Sequence, residues 1–394
     1  MNEPIIYCNR LIFYLLLSRI YDIIGSMNYN WQQSDWGTFT FSLKEVEGIL
    51  YVFVEKAGHL KGLLQAMPKT SQEETLIEIL VSEALKTSEI ENEYLSREDV
   101  TSSIRHNLGL YEPNKEVKDV RAKGVGKLMT EVRQTYDDTL TEETLKEWHQ
   151  YLFTNQTHIN VGDWRNHTAP MQVVSGRLDK PTVHFEAPPS KDVPQEMKQF
   201  IDWFNDTAPN GKNPIKYAPI RSAIAHLYFE SIHPFEDGNG RIGRAIADKA
   251  LSQSVGYPLL LSLSATIESN KKAYYGALEN AQKGNEVSSW ISYFLQVIID
   301  SQKNAAAFIE FTLKKARFFD TYKIKLNERQ LKSINRMFQE GPNGFEGGMT
   351  AKKHMRIVQT SKATATRDLK SLEELGALKV RGSGRSTHYY LNLE

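Results

Sequence analysis

The sequence predicts a mainly α-helical protein, and three observations carry that prediction. Long stretches place apolar residues at helical spacing, helix-start signals precede several of them, and a glycine-rich loop joins two helices. Residues 41–54 begin one such amphipathic pattern, and Ile224, Leu227 and Ile232 repeat it before the loop. Only short β-rich runs interrupt the helices.

The length and composition of the chain exclude only a few classes of function. A chain of 394 residues has room for two or three domains with real cores. Lys and Arg together number 48, as do Asp and Glu, so the net charge indicates no partner. The single cysteine, Cys8, excludes disulfide frameworks and thiolate zinc sites and fits a reducing compartment. We therefore expect a cytoplasmic protein.

Residues 1–26 form an apolar extension that we expect not to be structural. Arg10, Arg19 and Asp22 interrupt it, and its longest uncharged run is far shorter than the roughly 20 residues that span a bilayer. Met27 opens a sequence that reads like a fresh start. No membrane association is expected.

Residues 27–115 are predicted to form an N-terminal helical domain. Ser71 followed by Glu74 resembles a capping box at the start of a helix. The segment Thr87–Asn92 lies further along the same pattern, and its plain interpretation is a solvated helix end, because Asn92 suits a helix C-terminus.

Residues 116–310 are predicted to form the core. Thr141 opens a good helix, and two β-rich runs, 172–174 and 182–185, flank a turn and predict a hairpin. A helix at 194–204 and the helix that ends at Ile232 precede the glycine-rich loop.

Residues 311–394 resemble a winged helix-turn-helix. Over 345–394, nine Lys and Arg stand against five Asp and Glu. Such an excess suits phosphate contacts with DNA, but winged helices also bind proteins, so both partners stay open. The predicted elements are helices at 326–338, 350–358 and 360–375, strands at 378–380 and 388–391, and exposed basic residues Lys362, Arg367, Arg381 and Arg385.

The loop at 233–244, HPFEDGNGRIGR, concentrates the chemistry. His233 offers a base and Asp237 a metal-type carboxylate, while Arg241 and Arg244 are three positions apart and so share one helix surface. Residues 245–251 continue as a helix, which places Gly238-Asn239-Gly240 at its N-terminus, where free N–H groups favour an anion. The loop predicts a phosphate site.

Other interpretations of the loop fit less well. Residues 238–243 match the dinucleotide fingerprint, but that motif requires a preceding strand and a following acidic residue, and here a helix precedes it. A metal hydrolase built on His226, His233 and Asp237 fits no zinc spacing. An ordinary capped turn leaves the two arginines unexplained.

The loop fills every fixed position of the signature His-x-Phe-x-Asp/Glu-Gly-Asn-Gly-Arg-x-x-Arg and so resembles the Fic family. The resemblance implies a helical Fic core that moves AMP from ATP to a Ser, Thr or Tyr hydroxyl of a target protein or of the chain itself. His233 is then the base, and Asp237 holds Mg²⁺. The implied phosphate-binding residues are Gly238, Asn239, Gly240, Arg241, Ile242, Gly243 and Arg244.

The resemblance also gives the hairpin a role as a flap that pairs with a target protein. It implies nucleotide contacts from Val174, Ser175 and Gly176, and adenine contacts from Tyr274 and Tyr275, for which helix packing is the alternative. A homodimer is left open.

A second motif resembles the inhibitory segment of Fic proteins. Thr87–Asn92 matches Ser/Thr-x-x-x-Glu-Gly/Asn, which implies that Glu91 pairs with Arg244 where the ATP γ-phosphate would bind. The alternatives are a nucleotide-sensing DNA-binding regulator, and a Fic enzyme that uses another nucleotide or removes AMP.

Overall fold

The computed structural model describes residues 29–110, 117–177 and 180–393. The predictions for residues 1–26 and for the Arg385 side chain lie outside this description. The chain divides into two compact units. One comprises the described residues up to Ala57 together with Leu76–Gln302, and the other comprises Gly58–Thr75 and Lys303–Glu394.

The predicted mainly α-helical fold is confirmed, because helices dominate the described residues and the strands form two small pairs. In chain order the helices are α1 (Leu43–Gln65), α2 (Lys69–Ile90), α3 (Arg97–Asn107), α4 (Val120–Gln134), α5 (Glu142–Leu152), α6 (Val193–Asp206), α7 (Ala218–Ile232), α8 (Asn239–Val255), α9 (Leu263–Glu268), α10 (Lys271–Ala281), α11 (Ser288–Tyr322), α12 (Glu328–Phe338), α13 (Ala351–Val358) and α14 (Lys362–Glu374). The strands are β1 (Gln172–Arg177), β2 (Lys180–Glu186), β3 (Leu378–Arg381) and β4 (His388–Leu391).

Side-chain caps fix several helix starts. Ser96 accepts a hydrogen bond from the Asp99 N–H at the start of α3, and Thr141 accepts one from Thr144 at the start of α5. The predicted cap at Ser71 is wrong. Helix α2 begins two residues earlier, and the Ser71 carbonyl accepts an intrahelical bond from the Thr75 hydroxyl instead.

One apolar cluster joins several helices of the first unit. Ile77 of α2 and Val100 of α3 are buried in the same cluster as Trp148 of α5, Phe229 of α7 and Ile246 of α8. The N-terminal helices α2 and α3 therefore supply part of the wall that buries α7 and α8, while the predicted domain boundaries stay a prediction. Burial of each large side chain stabilises the fold by about 1.5–3 kcal/mol.

The predicted hairpin is present. Strands β1 and β2 pair antiparallel, with Val174 opposite Val183 and a register shift between Val173 and Val174. Gly176 has φ 91° near the end of β1, a left-handed conformation that favours glycine.

The second unit contains α12, α13 and α14 followed by the antiparallel pair β3–β4. Asp368 of α14 joins the three helices, because its carboxylate accepts from Arg329 Nε of α12 at 2.8 Å and lies 3.3 Å from His354 Nε2 of α13. The predicted helices and strands are thus present, while the winged-helix assignment stays a prediction.

Within the described part of the chain, no helix has both the length and the apolar character that crossing a membrane requires.

Candidate functional site

The glycine-rich loop links the C-terminus of α7 to the N-terminus of α8. His233 caps α7 with φ 51°, and Gly238 caps the start of α8 with φ 83°, so both residues are left-handed. The Asn239 side chain closes the loop: its Oδ1 accepts from Phe235 N at 2.9 Å and its Nδ2 donates to Phe235 O at 2.8 Å. Because its side-chain amide is engaged inside the loop, Asn239 has only its backbone N–H to offer an anion.

His233 lies almost completely buried beside Glu230. The ring hydrogen-bonds to the Glu230 backbone carbonyl, and its Nδ1 lies 3.8 Å from the Glu230 carboxylate Oε2. Burial, reinforced by the nearby Arg165 guanidinium, lowers the pKa of His233 to about 3. The imidazole is therefore neutral near neutral pH and able to accept a proton.

Three glycines of the loop are required by close neighbours. A Cβ atom at position 238 would lie 2.6 Å from the Phe153 ring, one at 240 would lie 2.2 Å from Glu91 Oε1, and one at 243 would lie 2.3 Å from Glu230 Oε1. At each of these distances a Cβ atom would force the neighbouring side chain to shift. Ile242, between them, is fully buried in the core and positions α8 by packing.

Arg244 is 1% exposed and hydrogen-bonded by the last turn of α2 and by Glu91 just after it. Its Nε donates to the Thr87 hydroxyl at 2.8 Å, and its Nη2 donates to the Thr87 carbonyl at 2.9 Å and to Glu91 Oε1 at 2.8 Å. Burial alone would lower the pKa of Arg244, but the Glu91 carboxylate raises it above its ordinary value. The contact that the sequence implied between Glu91 and Arg244 is thus present.

Arg241 is also bound by a carboxylate, one that the sequence did not indicate. Its Nη1 donates to Glu93 Oε2 at 2.7 Å, its Nη2 lies 3.8 Å from Asp237 Oδ1, and its guanidinium lies 4.9 Å from the centre of the Phe153 ring. Burial raises the pKa of Glu93, while the charge of Arg241 opposes that shift. Glu91 and Glu93 thus neutralise the two arginines of the loop.

The backbone after α2 aims both carboxylates at α8. The helix ends at Ile90, and Asn92 takes the left-handed conformation with φ 60° between the two glutamates. Lys271 of α10 donates to the Glu89 carbonyl at 2.6 Å, which supports the last turn of α2.

The two acidic residues of the loop differ in environment. The Asp237 carboxylate accepts from the Gly238 N–H at 2.6 Å, and its side chain is 41% exposed. Glu236 is half-buried, and its Oε2 accepts a hydrogen bond from Asn160 N at 3.1 Å.

The candidate nucleotide-binding residues of the flap lie on β1, and in this structure they contact other residues of the protein. Ser175 Oγ lies 2.6 Å from His184 Nε2 across the hairpin, and His184 Nδ1 lies 3.0 Å from Glu279 Oε2 of α10. Val174 and Gly176 flank Ser175 and pair with Val183 and Pro181 of β2.

The placement of Tyr274 favours packing over adenine contact. Its ring is 1% exposed, and its hydroxyl lies 2.7 Å from His226 Nε2 in the interior. Tyr275 is half-buried beside it, with ring centres 5.1 Å apart, and remains the candidate for adenine. The same contact engages Nε2 of His226, and the described residues contain no group of three metal-ligating side chains.

Arg165 is a second residue that the sequence did not single out. It is 1% exposed, and its guanidinium donates to the carbonyls of His233, Ile232 and Pro188 and to the Ser190 hydroxyl. Its acceptors lie 23 to 68 positions away in sequence, so local patterns gave no signal for them.

These contacts bring a helix N-terminus, two buried arginines and a neutral histidine together, an arrangement that suits an anion. Comparisons with known proteins also relate this part of the chain to a known family. The sequence profile of the Fic/DOC family matches residues 139–251, and that of a domain of unknown function, DUF4172, matches residues 29–110. Residues 139–251 therefore match a Fic/DOC domain.

Curated relatives carry the name protein adenylyltransferase. The chain is 28% identical over 148 residues, 38% of its length, to protein adenylyltransferase fic-1 of Caenorhabditis elegans, and covers 25% of that protein. It is 31% identical over 120 residues, 30% of its length, to protein adenylyltransferase Fic of Drosophila willistoni, and covers 22% of it. The chain thus spans about a quarter of the length of these relatives.

A solved structure shares the fold. A Fic family protein from Desulfovibrio desulfuricans is similar with a TM-score of 0.50 and 21% identity, over 87% of this chain and 96% of that one. This similarity extends well beyond the motif loop.

Proposed function

We propose that the protein transfers AMP from ATP to hydroxyl groups of a target protein and of itself, and that its own segment Thr87–Glu93 inhibits the reaction. The observation that carries this proposal is the pair of contacts Glu91–Arg244 and Glu93–Arg241, at 2.8 and 2.7 Å. Carboxylates and phosphates use the same arginine donors, so two carboxylates here indicate a site built for a polyphosphate.

The chemistry follows from the loop. The hydroxyl oxygen of the target attacks the α-phosphorus, the new O–P bond forms as the bond to pyrophosphate breaks, and the hydroxyl proton passes to His233. The hydrogen bond between the ring and the Glu230 carbonyl orients the imidazole for this transfer. The N–H groups at the start of α8 and the Arg241 guanidinium hold the α- and β-phosphates.

Asp237 fits a magnesium ion that accompanies the nucleotide. Mg²⁺ takes oxygen ligands and is held by one or two carboxylates plus substrate phosphates, and Asp237 is a partly exposed carboxylate beside Arg241. Bound there, Mg²⁺ would neutralise phosphate charge.

Inhibition follows from competition for the two arginines. Arg244 would bind the γ-phosphate in place of Glu91, and Arg241 would bind the inner phosphates in place of Glu93. Both arginines are buried and each holds a carboxylate, so these ion pairs must separate before the polyphosphate binds.

Incubation with ATP labelled on the α-phosphate tests the transfer. We expect weak labelling of the wild-type protein, strong labelling of Glu91→Gly, and none of Glu91→Gly/His233→Ala. Label on the γ-phosphate should not be transferred. The absence of transfer by Glu91→Gly from any nucleotide would sink the proposal, and transfer of another nucleotide or loss of attached AMP would select the alternative Fic chemistries.

The second unit supports a second candidate function, DNA binding. Lys362, Arg367 and Lys370 are exposed on α14, and Lys379 and Arg381 are exposed on β3. A helix and a hairpin with exposed cations suit the grooves and phosphates of DNA. A salt-dependent mobility shift of duplex DNA that Arg367→Ala abolishes would support this candidate, while capture of protein without any DNA shift would support the protein-binding alternative.

A further inference from the structure

We propose that Arg165 is a positioning residue for His233, which fixes the backbone from which the imidazole projects. This inference rests on the proposed transfer reaction. Arg165 lies in the stretch between α5 and β1, outside the motif loop, and is buried.

The guanidinium binds the end of α7 at two consecutive carbonyls. Its Nε donates to His233 O at 2.8 Å, and its Nη2 donates to Ile232 O at 3.2 Å. Its backbone N–H donates to the Pro234 carbonyl at 2.9 Å. One residue therefore holds three successive carbonyls on both sides of the Cα atom of His233.

This support matters because of the conformation of His233. The residue is left-handed, with φ 51° and ψ 59°, a conformation that residues with a side chain rarely adopt. The last carbonyls of a helix also lack intrahelical partners and favour a cation. The planar, positively charged guanidinium of Arg165 both holds this backbone conformation and binds the last carbonyls of the helix.

The guanidinium also donates hydrogen bonds to the segment that follows the hairpin, and so connects that segment to the loop. Nη2 donates to Pro188 O at 2.5 Å, and Nη1 donates to Ser190 Oγ at 2.9 Å. The Ser190 contact reaches none of the three carbonyls of residues 232–234, so Ser190 provides a matched control for loss of a single hydrogen bond.

The test uses the Glu91→Gly protein as parent and adds Arg165→Lys, Arg165→Gln or Ser190→Ala. Lysine keeps the charge but not the planar fork, and glutamine removes the charge. We measure the transfer rate at saturating ATP and magnesium, the ATP affinity by calorimetry, and the melting temperature. We expect the rate to fall by about tenfold in Arg165→Lys and by about 100-fold in Arg165→Gln, with the ATP affinity within about threefold of the parent, because misplacement of a catalytic group affects the chemical step. Ser190→Ala should stay within about threefold on both measures.

A folded Arg165→Lys or Arg165→Gln protein with the parent rate would overturn the proposal, as would a parallel loss of rate and ATP affinity. If the parent transfers nothing, the proposed function fails instead, and the imidazole NMR signals of His233, identified by their loss in His233→Ala, decide the positioning role. We expect both Arg165 variants to shift these signals and Ser190→Ala to leave them in place. Unchanged His233 signals in the Arg165 variants would contradict the positioning role of Arg165.

Discussion

Oε1 of Glu91 lies 2.8 Å from Nη2 of Arg244, and both side chains are almost fully buried. Gly240 makes this contact possible, because a Cβ atom at that position would lie 2.2 Å from the same carboxylate oxygen. The motif loop and the segment after α2 are thus fitted to one another, and the predictions below follow from that fit.

Substitution of Glu93 by Gln should release Arg241 only in part. The amide still accepts a hydrogen bond from Nη1 but no longer carries charge, so ATP should bind more tightly by a few-fold, about 1 kcal/mol or less. Calorimetric titration with ATP and magnesium measures the change. Glu236→Gln is the matched control, because its carboxylate contacts Asn160 instead of an arginine. An ATP affinity identical to that of the wild type would show that Glu93 does not compete with phosphate.

Substitution of Gly240 by Ala should destabilise the wild-type protein. The same substitution should destabilise the Glu91→Gly protein much less. The added Cβ meets Glu91 at 2.2 Å, and removal of that side chain relieves the contact. A double-mutant cycle on the free energy of unfolding should give a coupling of about 1 kcal/mol or more. Gly276→Ala, where a Cβ atom would meet nothing within 4 Å, should give no coupling to position 91. Additive effects at positions 240 and 91 would contradict the observed contact.

Substitution of Glu230 by Gln should stabilise the protein progressively as the pH rises. Burial raises the pKa of Glu230 to about 8, so the folded state favours the protonated carboxyl, and its contribution is lost as the pH rises from the unfolded pKa, about 4.5, toward 8. Glutamine has no proton to lose. The stability of Glu230→Gln relative to the wild type should therefore increase by roughly 3 to 4 kcal/mol between about pH 5 and about pH 8.

Chemical denaturation at both pH values measures this difference. The buried histidines His226 and His233, whose pKa values burial lowers to about 3, destabilise both proteins on acidification, and this contribution cancels in the comparison. The exposed Glu73, changed to Gln, should show no such trend. A pH-independent difference for Glu230→Gln would mean that the carboxyl is ionised in the folded state.

Local patterns predicted the elements that local forces determine. The loop at 233–244 predicted the helix N-terminus at Gly238-Asn239-Gly240, and two β-rich runs around a turn at 172–185 predicted the hairpin. The start of α2 was misplaced because Ser71 forms an ordinary intrahelical contact, which residue identity alone does not distinguish from a cap.

The contacts that sequence patterns missed join residues far apart in the chain. Glu93 reaches Arg241 across 148 positions, and Arg165 reaches His233 across 68. Tyr274 faces His226 in the interior because of how α10 packs on α7. The sequence alone allowed Tyr274 either to pack in the interior or to contact the nucleotide. Such pairs depend on the tertiary packing of helices, which a single sequence does not specify locally.

The affinity for ATP in the presence of magnesium, compared between the wild type and Glu91→Gly, tests the central claim most directly. Glu89→Gly is the control, since Glu89 pairs with Lys86 instead of a loop arginine. Removal of a buried charge-assisted contact worth about 1.5–3 kcal/mol should tighten ATP binding by at least about tenfold in Glu91→Gly and leave Glu89→Gly near the wild type. Equal affinities of the wild type and Glu91→Gly would contradict the claim that Glu91 and ATP compete for Arg244.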